Sequence, residues 1–197
     1  MTNRILRNRR AALLLLALAP SSASAQSWQG ADRLAPKATT YGVFGAFIAG
    51  TTTIPSGLGF TGQLRYGLSD EFQAEARLGF GMLGLHLAFL GKLPLVVPYS
   101  GGSGFGLALL AGFQYLFHLN LVGHLIGSYS TSEEAARAWT FYAAPTTVTS
   151  LMLLAPGLGF EAGLETPHIL GLKLVLEGRY GIAGIAHEGS FGFRRMF

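Results

Sequence analysis

The chain has 197 residues, room for one ordinary domain. Its formal charge of +4 suggests an anionic partner only until the charges are located: of fourteen basic residues, Arg4, Arg7, Arg9 and Arg10 fall in the first ten positions, no acidic residue precedes Asp32, and the remaining ten basic residues face ten acidic ones. There is no cysteine, which excludes disulfides, thiolate metal sites and a lipoprotein anchor, and 12% charged residues against 50% apolar ones is too little polar surface for an ordinary soluble domain.

Residues 1–25 read as a secretory signal peptide: a basic start, an apolar run from Ala11 to Ala19, and Ala23-Ser24-Ala25 as the cleavage signal, placing the cut between Ala25 and Gln26. That run is far shorter than the ~20 apolar residues a spanning helix needs. Residues 26–39 are polar with Pro36 and are expected to form a flexible N-terminal tail. From residue 40 to 197 the dominant signal is a period of two, and glycine, polar or charged residues interrupt every candidate for a membrane helix.

The first strand, about Thr40 to Ala49, is irregular, with Phe44 and Ile48 opposing Tyr41, Val43 and Phe47. A hairpin follows: Leu58, Phe60, Leu64 and Tyr66 alternate with Thr61, Gln63 and Arg65, then Phe72, Leu78 and Phe80 with Gln73, Glu75 and Arg77, across a tight turn at Ser69-Asp70-Glu71. Leu85, Leu87, Phe89 and Leu93 oppose His86 and Lys92; after a Gly/Ser turn from Pro98 to Gly104, Phe105, Leu107, Leu109, Phe113 and Tyr115 oppose Gly106, Gly112 and Gln114. His118 to Ser150 reads as one long loop with a short helix near Ser132 to Phe141, begun by Thr131 with Glu134 three positions on. The alternative there is a hairpin from Leu119–Tyr129 and Ala138–Thr147. Met152, Leu154, Leu158, Phe160 and Leu164 then oppose Glu161 and Glu165, Thr166-Pro167 turns the chain, and Leu170 to Ile182 sets leucines against Lys173, Glu177 and Arg179, before a short last strand, Gly189 to Phe197. The expectation is an all-β fold, a closed antiparallel up-and-down transmembrane barrel of about eight strands, or ten with the alternative hairpin.

Low charge decides which face is outward. The leucine and phenylalanine faces are expected to meet lipid, and Arg65, Glu75, Arg77, Lys92, Glu161, Glu165, Lys173, Glu177 and Arg179 to form a polar network of ion pairs inside. Tyr41, Phe80, Tyr115, Tyr180 and Phe197, near strand ends, are expected in interfacial girdles. Five scattered histidines (His86, His118, His124, His168, His187) lack metal-site spacing, the glycine run 101–104 lacks the lysine of a phosphate loop, and neither a cofactor nor nucleic acid is expected. His187, Glu188 and Ser190 are the one grouping with the residue types of a hydrolytic triad, but 187 and 188 fall on opposite faces of a regular strand, so catalysis is not expected.

The segments Leu64-Arg65-Tyr66-Gly67-Leu68-Ser69-Asp70 and Glu177-Gly178-Arg179-Tyr180-Gly181, with Phe197 last, resemble the small bacterial outer-membrane barrels of the OmpA/OmpX-like group over about Tyr41 to Phe197. The resemblance implies a C-terminal assembly signal, met by Phe191, Phe193 and Phe197 but with Arg195 where an apolar residue is usual. It implies periplasmic chaperones and the barrel assembly machinery as partners, a surround of outer-membrane lipid and lipopolysaccharide, and a monomer. It also implies periplasmic turns at Ser69-Asp70, 98–103 and Thr166-Pro167, and outward segments at 50–56, 82–84, 118–150 and 183–188. The expected role is structural or surface-interacting without catalysis, the alternatives being a lipid A acyl-modifying enzyme or a narrow channel.

Overall fold

A computed structural model describes residues 30–31, 33–49, 56–81, 84–97, 103–116, 118–132, 134, 137–152, 156–183 and 187–196. Its strands are β1 (Thr39–Ile48), β2 (Gly57–Gly67), β3 (Gln73–Gly81), β4 (Gly84–Val96), β5 (Gly104–Leu116), β6 (His118–Ser130), β7 (Thr140–Ser150), β8 (Pro156–Glu165), β9 (Leu172–Ala183) and β10 (Glu188–Met196). Each pairs antiparallel with its neighbours in sequence, and β1 pairs with β10, Thr40 opposite Met196 and Ile48 opposite Glu188. The sheet closes on itself and leaves no free edge. The expected all-β up-and-down barrel is the fold, with the ten strands of the alternative count rather than eight.

The extra pair lies in 118–150, so the long outward loop and its helix are corrected. β5 ends at Leu116 and β6 begins at His118, and β6 pairs with β5 along its length, Gly104 opposite Ser130 and Leu116 opposite His118. The connection from β6 to β7 is 131–139, closed by Thr131 N–H to Trp139 O at 3.0 Å and Trp139 N–H to Thr131 Oγ1 at 3.1 Å. It lies at the terminal end of the barrel, where β1 begins and β10 finishes. Two features hid these strands. Val122 and Ile126 of β6 are apolar yet buried inside, which blurs the alternation. Pro145 stands in mid-β7, where it has no N–H to give, and the β6–β7 register is interrupted between His124/Thr146 and Gly127/Ala143.

The turn before β9 also runs further than Thr166-Pro167. Ile169 and Leu172 exchange both backbone hydrogen bonds, 2.8 and 3.1 Å, across Leu170 (φ 54°) and Gly171 (φ 80°). Positive φ at both central residues is the type I′ hairpin turn, and Leu170 is exposed in it rather than on the strand.

The described part of the N-terminal segment is not a free tail. Ala31 and Leu34 are buried, Gly30 N–H reaches Glu165 Oε1 at 3.1 Å, Ala31 N–H reaches Ser128 Oγ at 2.8 Å, and Lys92 Nζ donates to Gly30 O at 2.8 Å. The chain leaves the lumen at the terminal end, where Lys37 N–H bonds Gly67 O at 2.8 Å, and enters β1. Ten strands enclose more room than side chains fill, and this segment occupies part of it.

Candidate functional site

The lumen collects the charge. All nine residues of the expected polar network are buried there, brought to the inner face by strict alternation along β2, β3, β4, β8 and β9. Eight of them fall into three groups, and the ninth, Lys92, holds Gly30 O. On β2 and β3, Glu75 faces Arg65 across the register, pairs with Arg77 two residues along its own strand, and accepts from Gln63 Nε2 at 2.9 Å, while Arg65 Nη2 donates to Gln73 Oε1 at 3.2 Å. Toward the far end, Arg179 pairs with Glu188 across β9 and β10 and faces Glu161 across β8 and β9. Glu161 Oε2 lies 3.3 Å from His124 Nδ1, itself 3.1 Å from Thr146 Oγ1. Toward the terminal end, Glu165 binds Arg194 at 2.9 Å and lies 3.7 Å from Lys173, while Tyr142 OH donates to Glu177 Oε2 at 2.7 Å.

Sequence reasoning missed Glu188 and Arg194 as lumen residues, although their parity opposite Phe191 and Phe193 was available. It also missed that the opposite wall is apolar. Ala88, Leu90, Ala108, Leu110, Val122, Ile126, Ala144 and Val148 line it, and Phe44 of β1 belongs to the same buried apolar cluster. The ring of Phe44 lies over Gly42 and Gly192, where a Cβ would collide with it. The outer face is the reverse: Phe80 and Phe89 are 67% and 65% exposed, and Tyr41, Tyr66 and Tyr129 toward the terminal end, with Tyr115 and Tyr180 toward the far end, form two aromatic belts.

Of the remaining singled-out residues, Phe191 and Phe193 point outward, while Phe197, Ala25 and Gln26 lie outside the described residues. Glu188 and Ser190 are buried inside, whereas His187 is exposed, its ring 4.6 Å from that of Tyr180. The three do not converge as a triad requires. Among the described residues no group of three or more His, Asp or Glu side chains is placed to hold a metal.

These features define a closed ten-stranded barrel, apolar outside and with its charges inside. No protein-family model and no curated protein matches the chain. Among solved structures it is similar to an outer membrane channel from Pseudomonas putida F1 (11% identity, TM-score 0.52, 84% of this chain and 97% of that one). It also matches a de novo designed transmembrane β-barrel (12%, 0.43, 84% and 99%) and Ail, the attachment invasion locus protein of Yersinia pestis (9%, 0.29, 82% and 99%). The likeness is one of fold.

Proposed function

We propose that the chain is a bacterial outer-membrane barrel, exported through a signal peptide cleaved after Ala25, with a structural or surface-interaction role and no catalysis. One observation carries this reading: large apolar side chains are exposed around the wall while Arg65, Arg77, Lys92 and Glu161 are buried in the lumen. In water such a wall exceeds the few hundred Å² of contiguous apolar surface a soluble monomer tolerates; in hydrocarbon it is the lipid face, framed by its aromatic belts. Strands of 9 to 13 residues match the hydrocarbon thickness. Barrel assembly machinery reading Phe191, Phe193 and Phe197 is the proposed route of insertion.

Fractionation tests it: the protein is expected in outer membranes, with faster gel migration when unheated, and recovery as soluble periplasmic protein would overturn the reading. Identical lipid A masses from cells with and without the protein are the expected result for a non-catalytic barrel. A second reading, a narrow channel closed by its own N-terminal segment, is favoured by the presence of Gly30 and Ala31 in the lumen. The Pseudomonas putida protein of similar fold is described as a channel.

A further inference from the structure

The outward face is not evenly bulky. Across β10, β9, β8 and β7 the register sets Gly189 beside Gly178, Gly178 beside Ala162, and Ala162 beside Ala143, a row of four small residues ended on β1 by Phe47, which pairs with Gly189. The next outward row to one side is Phe191, Leu176, Leu164 and Phe141, and the row to the other side carries Tyr180, Phe160 and Pro145. Over the small row lies a groove of about 920 Å³, walled by Phe191, Leu176, Leu164 and Phe141, floored by Gly178, Gly189 and Ala162, and continued past Phe47 to Leu58 and Phe60 of β2.

The fold does not require those glycines. A Cβ at Gly178 or Gly189 would meet nothing within 4 Å, and neither residue has positive φ; at Gly112, by contrast, a Cβ would strike the β4 backbone. Glycine inside a strand weakens it, and one role it serves there is close approach of something else.

We propose that this groove binds one acyl chain of a zwitterionic phospholipid, an inference that rests on the membrane reading above. The groove's course fits a lipid tail: it passes Phe47 and Gly189, one residue from the far ends of β1 and β10, and reaches Leu164 and Phe141, one residue from the terminal ends of β8 and β7. It thus descends from the rim along the wall, as a tail descends from its headgroup. The bulky outward rows on either side of the small row stand about 13 Å apart before their own bulk is subtracted. A floor one residue wide admits a hydrocarbon chain but not a helix of about 10–12 Å diameter. Its volume lies within the roughly 300–1,000 Å³ range of small-molecule sites, and a second copy of this chain would need about 800 Å² per partner for a stable interface.

The rim supplies a polar handle. His187 Nδ1 accepts from Gly181 N–H at 3.3 Å, so in the neutral ring Nε2 carries the proton and is the donor for an ester or phosphate oxygen. Among the described residues the exposed basic side chains, Arg33, Lys37, Arg137 and Arg195, all lie toward the terminal end. Among its described residues the far rim therefore offers no cation cluster for a multiply phosphorylated glycolipid.

The test is photolabelling of the full mature chain, refolded in phosphatidylcholine vesicles containing phosphatidylethanolamine with a diazirine at the tail end, followed by peptide mass mapping. Adducts are expected about tenfold enriched at Leu164 and Phe141, where the tail ends, over Phe89 and Leu109 across the barrel, the ratio that about 1.4 kcal/mol of preference gives. Even labelling around the wall would overturn the proposal, as would displacement by lipopolysaccharide but not by excess phospholipid, or a cross-linked dimer in place of the adduct. The double variant Gly178→Leu/Gly189→Leu fills the floor and is expected to abolish the enrichment while keeping heat-modifiable migration; enrichment that persists in it overturns the proposal. Should that variant fail to fold, the wild-type map decides alone. Absence of the heat shift in the wild type counts against the membrane reading, whereas a heat shift with even labelling counts against the groove.

Discussion

Glu165 closes the terminal end of β8 at 2% exposure and works on three partners: Oε1 takes Arg194 at 2.9 Å and the Gly30 N–H at 3.1 Å, and Oε2 lies 3.7 Å from Lys173. Lys173 and Arg194 face each other across β9 and β10, so the carboxylate holds two like charges in one place. At an effective dielectric near 20, contacts of about 3 to 4 Å carry roughly 4–6 kcal/mol of gross attraction each. Much of that offsets the cost of taking the charges out of water, and removal of one partner from a buried pair typically leaves a loss of about 3–5 kcal/mol. Glu165→Ala is therefore expected to cost about 3–5 kcal/mol. Glu165→Gln, which keeps an acceptor for the Gly30 N–H, is expected to recover about 1 kcal/mol of it. Reversible urea unfolding in lipid vesicles, read as the fraction of heat-modifiable band, measures both. A loss below about 1 kcal/mol in the alanine variant would refute the reasoning, because it would mean that water reaches and screens this end of the lumen as it does at a surface.

Phe44→Ala, which empties the space over Gly42 and Gly192, should cost about 3–5 kcal/mol by the same unfolding assay, as large-to-small changes in packed cores do. Deletion of residues 26–34 from the mature chain should raise single-channel conductance in planar bilayers above that of the intact chain, since Gly30, Ala31 and Leu34 then leave the lumen; equal conductance would show that side chains alone block it. His168, in the β8–β9 turn, titrates below the usual histidine value of 6.5 because burial, and then Lys173, disfavour its charged form. Protonation is harder in the folded chain, so this stability is present above pH 6.5 and is lost as pH falls from there through the folded midpoint. Lys173→Met should move the His168 midpoint, followed by NMR, part of the way back up; no movement would refute the Lys173 contribution.

Strands with one charged and one apolar face were legible because the two-residue period is unambiguous when Lys173, Glu177 and Arg179 alternate with leucines, and β2, β3 and β9 read directly. β6 and β7 were less legible for a reason internal to the fold. Their inner faces meet the apolar wall of the lumen, so Val122, Ile126 and Val148 are apolar on the side where a polar residue marks a strand elsewhere, and Pro145 reads as a break. The charged network was legible from parity alone, yet its pairing was not: that Glu165 meets Arg194 while Arg179 meets Glu188 depends on register across β8, β9 and β10.

The hairpin that obscured the strand count also changes what the lumen is. An eight-stranded barrel is just filled by its own side chains, and an ion-pair core with no further content would suffice. Two more strands widen the circle, and β6 and β7 fill the extra space with Val122, Ile126, Ala144 and Val148 rather than with more charge. Charge can then be confined to the opposite side, where acidic and basic groups face one another across neighbouring strands instead of across an aqueous centre. The backbone of Gly30 and Ala31 enters where the two halves meet, bonded to Lys92 on β4, Ser128 on β6 and Glu165 on β8. Those three strands span the polar–apolar boundary, so the segment stitches both walls together at the terminal end. Glycine at position 30 follows from that crowding, since a Cβ there would stand 2.7 Å from Thr140 Cγ2.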